Sequence, residues 1–286
     1  MPIVEPRQKT TADVIVNIDA EQKWPPLNLR ELLSYREILR AMVGREIRVR
    51  YAQTLIGVGW VILQPALTMI ILSKIIGRLA GTSVYGFPND LFVLCGLLPW
   101  TYFSHVLTKS AFCLVSNSGI LSKAYFPRLM FPIATAIGAL ADLGISSVLL
   151  VAVMVYRGVA PSANILFLPA FLVLLIVASL GFGLWLAVLN LRHRDVSHAL
   201  PFVMQLLFFC SPVAYPASFI SGPWKVLYDL NPLTGILEGF RWSLLRGAPN
   251  PSGSVWGSFV TCIVILVTGL YYFRRREQTF ADESGA

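Results

Sequence analysis

The sequence predicts an all-α integral membrane protein: six transmembrane helices, an N-terminal amphipathic interface helix, and a re-entrant helix pair between the fifth and sixth spans. Three observations carry this. The 286 residues are 56% hydrophobic and only 13% charged, with a mean hydropathy of +0.67, whereas a soluble domain carries about 25% charged residues. Several stretches are long enough to cross about 30 Å of hydrocarbon as helices of roughly 20 residues. A soluble helical core would alternate apolar and polar faces, and these stretches do not.

Residues 1–28 are expected to be a cytosolic N-terminal segment. They hold Glu5, Asp13, Asp19 and Glu21 and no apolar core of a secretory leader, so the N-terminus is expected to stay inside and be retained. Residues 29–50 follow as the interface helix. At about 100° per residue, Leu32, Leu33, Tyr35, Ile38, Leu39, Met42 and Val43 share one face, and Arg36, Glu37, Arg40, Arg45 and Arg48 share the other. A basic amphipathic helix lies in the membrane plane, drawn to anionic headgroups by about 1 kcal/mol per Lys or Arg. Glu46 and Arg50 fall on the apolar face, so the chain is expected to turn near Arg45 and enter the first span. A solvated helix without membrane contact is the alternative.

Residues 51–274 form the transmembrane domain. Its spans are expected at about Leu55–Ile76, Leu91–Val115, Leu129–Tyr156, Ile165–Leu191, Ala199–Tyr215 and Trp256–Phe273, the fifth being short and holding Pro201 and Pro212. Residues 275–286 are a cytosolic tail. With the N-terminus inside, the cytosolic side receives the arginines of the interface helix, then Lys123 and Arg128, Arg192 and Arg194, and Arg274, Arg275 and Arg276. The opposite side receives only Lys74, Arg78, Arg157, Lys225, Arg241 and Arg246. This asymmetry is the positive-inside pattern with both termini cytosolic. It accounts for the net charge of +8 without nucleic acid.

Between the fifth and sixth spans, residues 216–254 are too apolar for a free loop, yet are broken by Pro216, Pro223, Pro232 and Pro249. Two half-helices that dip in and return fit this pattern, which is tolerated only inside protein or beside a water-filled cavity. Glu238 and Arg241, spaced i,i+3, are placed to pair on one of them.

Catalytic signatures are missing. The chain has no GxxxxGK[ST], GxSxG, HExxH or CxxC. Cys95, Cys113, Cys210 and Cys262 all sit in apolar runs and read as small hydrophobes. His105, His193 and His198 are too few and too scattered for a metal site. Lys109 and Asp142 lie inside spans, where a charge marks a functional site by default. A proton relay, structural pairing and a polar cavity are the alternatives there. Trp60, Trp100, Tyr102, Phe103, Trp185, Phe208, Phe209 and Tyr215 lie in or at the ends of spans. They read either as an interfacial aromatic belt or as flat surfaces along a conduit. Two compact cytosolic loops, Ser116–Pro132 and Leu191–Pro201, serve either topology or the grip of a cytosolic partner.

Several stretches together, "YREILRAMVGREIRVRYAQTLIGVGWVILQP", "GLLPWTYFSHVL", "LSKAYFPRLMFP", "LNLRHRDVSHALPFVMQLLFFCSPVAYP" and "LNPLTGILEGFRWSLL", resemble the permease subunit of bacterial polysaccharide-exporting ABC transporters of the ABC-2 type. These export O-antigen, and relatives export capsule or teichoic acid. The likeness covers about Leu29 to Arg274, and the long N-terminal segment is closer to the O-antigen members. It implies a homodimer joined to two copies of an ATP-binding cassette subunit, which would bind ATP and Mg while this chain holds no cofactor. It implies an undecaprenyl-diphosphate-linked glycan as substrate, in the bacterial cytoplasmic (inner) membrane. By position in the motifs, the channel residues would be Trp60, Gln64, Trp100, Tyr102, Phe103 and Tyr215. Coupling to the ATPase would fall to Leu121, Lys123, Tyr125, Phe126 and Arg128, with Arg192, Arg194 and Asp195. The re-entrant pair would include Glu238 and Arg241, and Arg45 and Arg48 would meet the lipid headgroup. Competing expectations are an ABC-2 exporter of a small hydrophobic compound, an ATP-independent channel or secondary transporter, and a membrane scaffold.

Overall fold

The structure, a computed structural model, describes residues 34–52, 57–80, 83–84, 86–117, 119, 127–193, 195–220 and 222–277. The expectations for residues 1–28, Leu121, Lys123, Tyr125, Phe126, Arg194 and residues 278–286 lie outside the described residues.

Helix α1 runs Arg36–Tyr51. It continues past Arg45 without a turn, which corrects the expected break. The reason lies on helix α4, Met130–Arg157, along which α1 packs. The polar residues on the supposedly apolar face of α1 have a partner there: Arg50 and Tyr51 both hold the carboxylate of Asp142. Gly138 lets the helices approach, since a Cβ at that position would sit 3.3 Å from the Glu46 Cβ. The helix is therefore amphipathic against a protein neighbour as well as a solvent.

Helix α2 spans Gly59–Ala80 with Pro65 inside it. It starts later than the expected Leu55, because Gly57 adopts φ +56°, a left-handed conformation that interrupts a helix and suits glycine. One side of α2 meets helix α3 (Asn89–Ser116) and α4. The other leaves Trp60, Leu67, Ile70, Ile71 and Ile75 exposed. Between α2 and α3 sits a two-stranded antiparallel hairpin, β1 (Ser83–Val84) and β2 (Phe87–Pro88), that the sequence did not announce.

Helix α3 is the centre of the molecule. It touches α2, α4, α5 (Leu168–Arg192), α6 (Asp195–Cys210) and α8 (Pro232–Leu244), and most of its residues are buried. A 3-10 turn, Ala163–Phe167, leads into α5; the Ser162 Oγ caps it by accepting from the Asn164 N–H at 3.2 Å. The closing helix α9, Ser252–Glu277, packs along α5.

Contacts between helix ends set the directions. Arg157, in the last turn of α4, donates through Nε to Asp90 in the first turn of α3 at 2.8 Å. Asn190, near the end of α5, donates to the Ala111 carbonyl of α3 at 2.9 Å. Arg128, just before α4, binds Glu277 at the end of α9. One end of the bundle thus gathers α1, the loop before α4 and the arginine-rich ends of α5 and α9.

Among the described residues, five helices are long and apolar enough to cross a membrane: α2, α3, α4, α5 with its preceding turn, and α9. The expected fifth span, Ala199–Tyr215, differs from the structure. There α6 begins at Asp195 and stops at Cys210, 16 residues or about 24 Å of helix, and the chain turns through residues 211–215. Residues 216–246 contain two helices of opposite character. Helix α7, Trp224–Asp229, has no buried residue. Helix α8 is buried on nearly all sides against α3, α5 and α9. Asn231 starts α8, its side chain accepting from the Leu233 N–H at 3.0 Å, with Pro232 at the first helical position.

Candidate functional site

A cleft of about 450 Å³ opens where the end of α1 and the first turns of α2 lie against the middles of α3 and α4. Each helix supplies a distinct chemistry. From α2 come Trp60, at 51% exposure on the rim, and Gln64. Helix α3 supplies Trp100, Thr101, Ser104, His105, Thr108 and Lys109. Their spacing of three and four residues is one face of a helix, so an otherwise apolar span carries a single polar stripe. From α4 come Asp142 and Ser146, and from α1 comes Arg50.

Asp142 is the hub of its floor. It accepts from Arg50 and from the Tyr51 hydroxyl. Burial, with the hydrogen bond to Asp142 next in weight, pushes the Tyr51 phenol up to about 12, so it stays a neutral donor. Among the described residues, the Arg50 Nη2 and the His105 Nε2 are buried at this site without hydrogen-bond partners. Lys109 is exposed and makes no hydrogen bond or ion pair among the described residues. Among the described residues no group of His, Cys, Asp and Glu is placed to hold a metal ion. The cleft offers cations, neutral donors and ring faces, which is binding chemistry.

Four of the six residues expected along a channel come together here: Trp60, Gln64, Trp100 and Tyr102. The Tyr102 hydroxyl is spent on the Ala136 carbonyl at 3.0 Å, so its ring alone faces the cleft. Phe103 does not line this cleft, for a simple reason. One residue on from Tyr102 is a rotation of about 100°, and Phe103 is 1% exposed, packed edge-on to Phe182 of α5 at 5.8 Å. Tyr215 is also elsewhere. It donates to the Phe209 carbonyl at 2.7 Å and accepts from the Tyr228 hydroxyl at 3.2 Å. Trp100 reaches the other way too, packing edge-on against Phe208 of α6 at 5.5 Å.

Arg45 and Arg48 lie on the exposed face of α1, outside the cleft. The Arg45 Nη2 donates to Asn117 Oδ1 at 3.1 Å, and the Arg48 Nε to the Gly44 carbonyl at 3.2 Å. Arg128 is half-buried and tied to Glu277 rather than displayed. Arg192 and Asp195 are exposed at the tight α5–α6 turn.

Glu238 and Arg241 pair as their spacing predicts, at 3.0 Å. Arg241 also donates to the Val213 carbonyl at 2.7 Å and the Phe92 carbonyl at 3.3 Å, and its guanidinium carbon lies 3.9 Å from the centre of the Phe92 ring. Glu238 in turn accepts from the Ala217 N–H at 3.2 Å. The pair ties α8 to α3 and to the turn after α6.

Reading residues singly missed the convergence of Arg50, His105, Lys109 and Asp142. The signal available was the polar stripe Thr101, His105, Lys109 at i, i+4, i+8 of an apolar helix.

Comparison with known proteins adds the following. A family model described as ABC-2 type transporter matches residues 37–245. An O-antigen export system permease protein, RfbA, of Myxococcus xanthus is 25% identical over 256 residues, 89% of this chain and 98% of that one. A Klebsiella pneumoniae protein of the same name is 26% identical over 249 residues, 86% of this chain and 94% of its own length. The polysialic acid transport protein KpsM of Escherichia coli is 28% identical over 245 residues, 84% and 93% respectively.

Proposed function

The chain belongs to the ABC-2 type transporter family, and we propose that it is the multi-pass permease subunit of an ABC exporter that carries a polysaccharide across the membrane. The end-to-end likeness to permeases named for O-antigen export carries this reading. The ring-lined cleft supports it. Family membership implies work with ATP-binding subunits, which here would bind ATP and Mg; this chain is a transport component.

In the fuller reading, two copies form the conduit in the inner membrane of a bacterium, with both termini cytosolic and α6 as a sixth span. Helices α7 and α8 form a re-entrant pair at the outer end. The substrate is a glycan on undecaprenyl diphosphate. ATP-driven closure of the partner subunits pushes the exposed α5–α6 turn at Arg192 and Asp195, together with the loop around residues 121–128. Movement of α6 reaches the cleft through the Phe208–Trp100 contact. Weak stacking repeated along a glycan holds it without trapping it. Arg45 and Arg48 on the outer face of α1 meet anionic lipid headgroups.

The likeness to a polysialic acid transporter supports a second reading in which the polysaccharide is a capsule chain. A deletion strain tests both. Lipid-linked polysaccharide should accumulate in the membrane and vanish from the surface, with rescue by the intact chain only when the ATP-binding partner is active. The chemical identity of the stranded glycan separates O-antigen from capsule. Unchanged surface polysaccharide refutes the proposal.

A further inference from the structure

The arginine-rich end of the bundle contains a buried joint, well away from the cleft. Phe273, one turn before the end of α9, is 0% exposed. It belongs to one apolar cluster with Leu129 and Phe131 at the start of α4 and Leu184 and Val188 of α5. Met42 of α1 and Leu191 of α5 pack against the same cluster. One turn beyond Phe273, Glu277 closes the joint with polar bonds. Its Oε1 accepts from the Arg128 N–H at 3.0 Å, and its Oε2 from the Arg274 Nη1 at 3.1 Å. The Arg128 guanidinium also donates to the Glu277 carbonyl. The Arg274 and Glu277 side chains are 14% and 18% exposed. Among the described residues, Nε and Nη2 of Arg274 have no hydrogen-bond partner, so Glu277 is what meets this cation. A helix end that served topology alone would need only its arginines. A carboxylate bonded to the start of another helix adds a mechanical link.

The joint lies between the two segments expected to meet an ATP-binding subunit. Arg128 ends one of them, and Leu191 directly precedes Arg192, which begins the other. The second segment is firmly seated. Asn190 is 3% exposed, donates to the Ala111 carbonyl of α3 at 2.9 Å and accepts from the Ser197 hydroxyl of α6 at 2.5 Å. Close-packed interiors transmit displacement, and distant sites couple through contiguous packed and hydrogen-bonded groups that have two arrangements.

Resting on the export reading, we propose that the end of α9 is a fulcrum that makes these two segments move as one, with Phe273 and Glu277 as positioning residues for transport. Phe273 takes up motion from α5 through Leu184 and Val188. Glu277 passes it to Arg128 and so to α4. Helix α4 carries Asp142, which holds Arg50 and Tyr51, so the motion reaches the floor of the cleft. Neither Phe273 nor Glu277 touches the transported glycan.

The test puts variants of the full chain into the deletion strain and purifies each together with its ATP-binding subunit. Glu277→Ala should still co-purify with that subunit and keep its ATPase rate, while surface polysaccharide falls by about fivefold or more, the lower end of coupling between sites. Glu277→Gln keeps an acceptor for the Arg128 N–H and should restore most of the export. Hydrogen exchange on the full chain alone supplies a measurement that needs no export. There E277A should speed exchange at the Arg128 amide and also at residues 189–192, across the joint. Faster exchange at Arg128 alone would make Glu277 a local cap and overturn the proposal. Equal loss of co-purification, ATPase and export in E277A would make it a structural residue, with the same consequence, as would normal export. Intact surface polysaccharide on deletion refutes the export reading beneath; the exchange result then still decides whether the two segments are joined through α9.

Discussion

Replacing Arg241 by alanine should be among the most damaging single changes outside the cleft. Arg241 is 2% exposed. Its guanidinium makes a 3.0 Å pair with Glu238, donates to two main-chain carbonyls and covers the Phe92 ring. Truncation strands the Glu238 carboxylate, 5% exposed, with the Ala217 N–H its one remaining hydrogen-bond partner among the described residues. Removing one member of a buried pair costs about 3–5 kcal/mol, because the remaining charge stays buried. At about 2–4 °C per kcal/mol for a chain of this size class, the melting temperature should fall on the order of 10 °C. Thermal unfolding of the purified full chain in detergent, followed by tryptophan fluorescence, reads this directly. Arg241→Lys should recover only part of the loss, since a single ammonium cannot span both carbonyls and Glu238. Glu238→Gln should be milder, because the amide still accepts from Arg241. A shift of under about 2 °C for R241A would refute the argument that this pair holds α8 to α3.

Gly239→Ala should destabilise by about 1–3 kcal/mol in the same assay, because the new Cβ would sit 2.1 Å from a Phe171 ring carbon. Cysteines at Glu46 and Gly138 should cross-link readily, the 3.3 Å separation being near the roughly 3.5–4.5 Å of disulfide Cβ atoms. Asp142→Ala should lower that yield, since α1 loses the acceptor shared by Arg50 and Tyr51; an unchanged yield would show that α1 needs no such anchor. Tyr51→Phe should be less stable than wild type by a constant amount below about pH 10, and the gap should close as pH rises toward about 12. The raised phenol favours folding only while it stays protonated in the folded state. Arg45→Ala with Arg48→Ala should slow export without preventing assembly; normal export would end the proposed lipid role of that face.

Much of the architecture was legible in composition alone. Five of the six expected spans correspond to long apolar helices, while the fifth corresponds to the shorter α6, and the arginine-rich segments converged at one end of the bundle. Pairing of Glu238 with Arg241 was legible because three residues is a helical neighbour distance. Of the six residues expected along a channel, Trp60, Gln64, Trp100 and Tyr102 line one cleft, while Phe103 and Tyr215 turn elsewhere. A motif places a residue on a segment, but the rotation of that segment about its axis is set by its neighbours.

The sequence by itself determined that this chain lives in a bilayer, because hydropathy and charge bias are sums over local windows and need no knowledge of contacts. Tertiary structure alone decided what the in-span charges do. Arg50 and Asp142 lie 92 residues apart, and nothing within either window shows the other. Glu46 and Arg50 looked misplaced on the apolar face of α1 until α4 supplied Gly138 to make room beside Glu46 and Asp142 to bind Arg50. In a low-dielectric setting, the meaning of a charge is its partner.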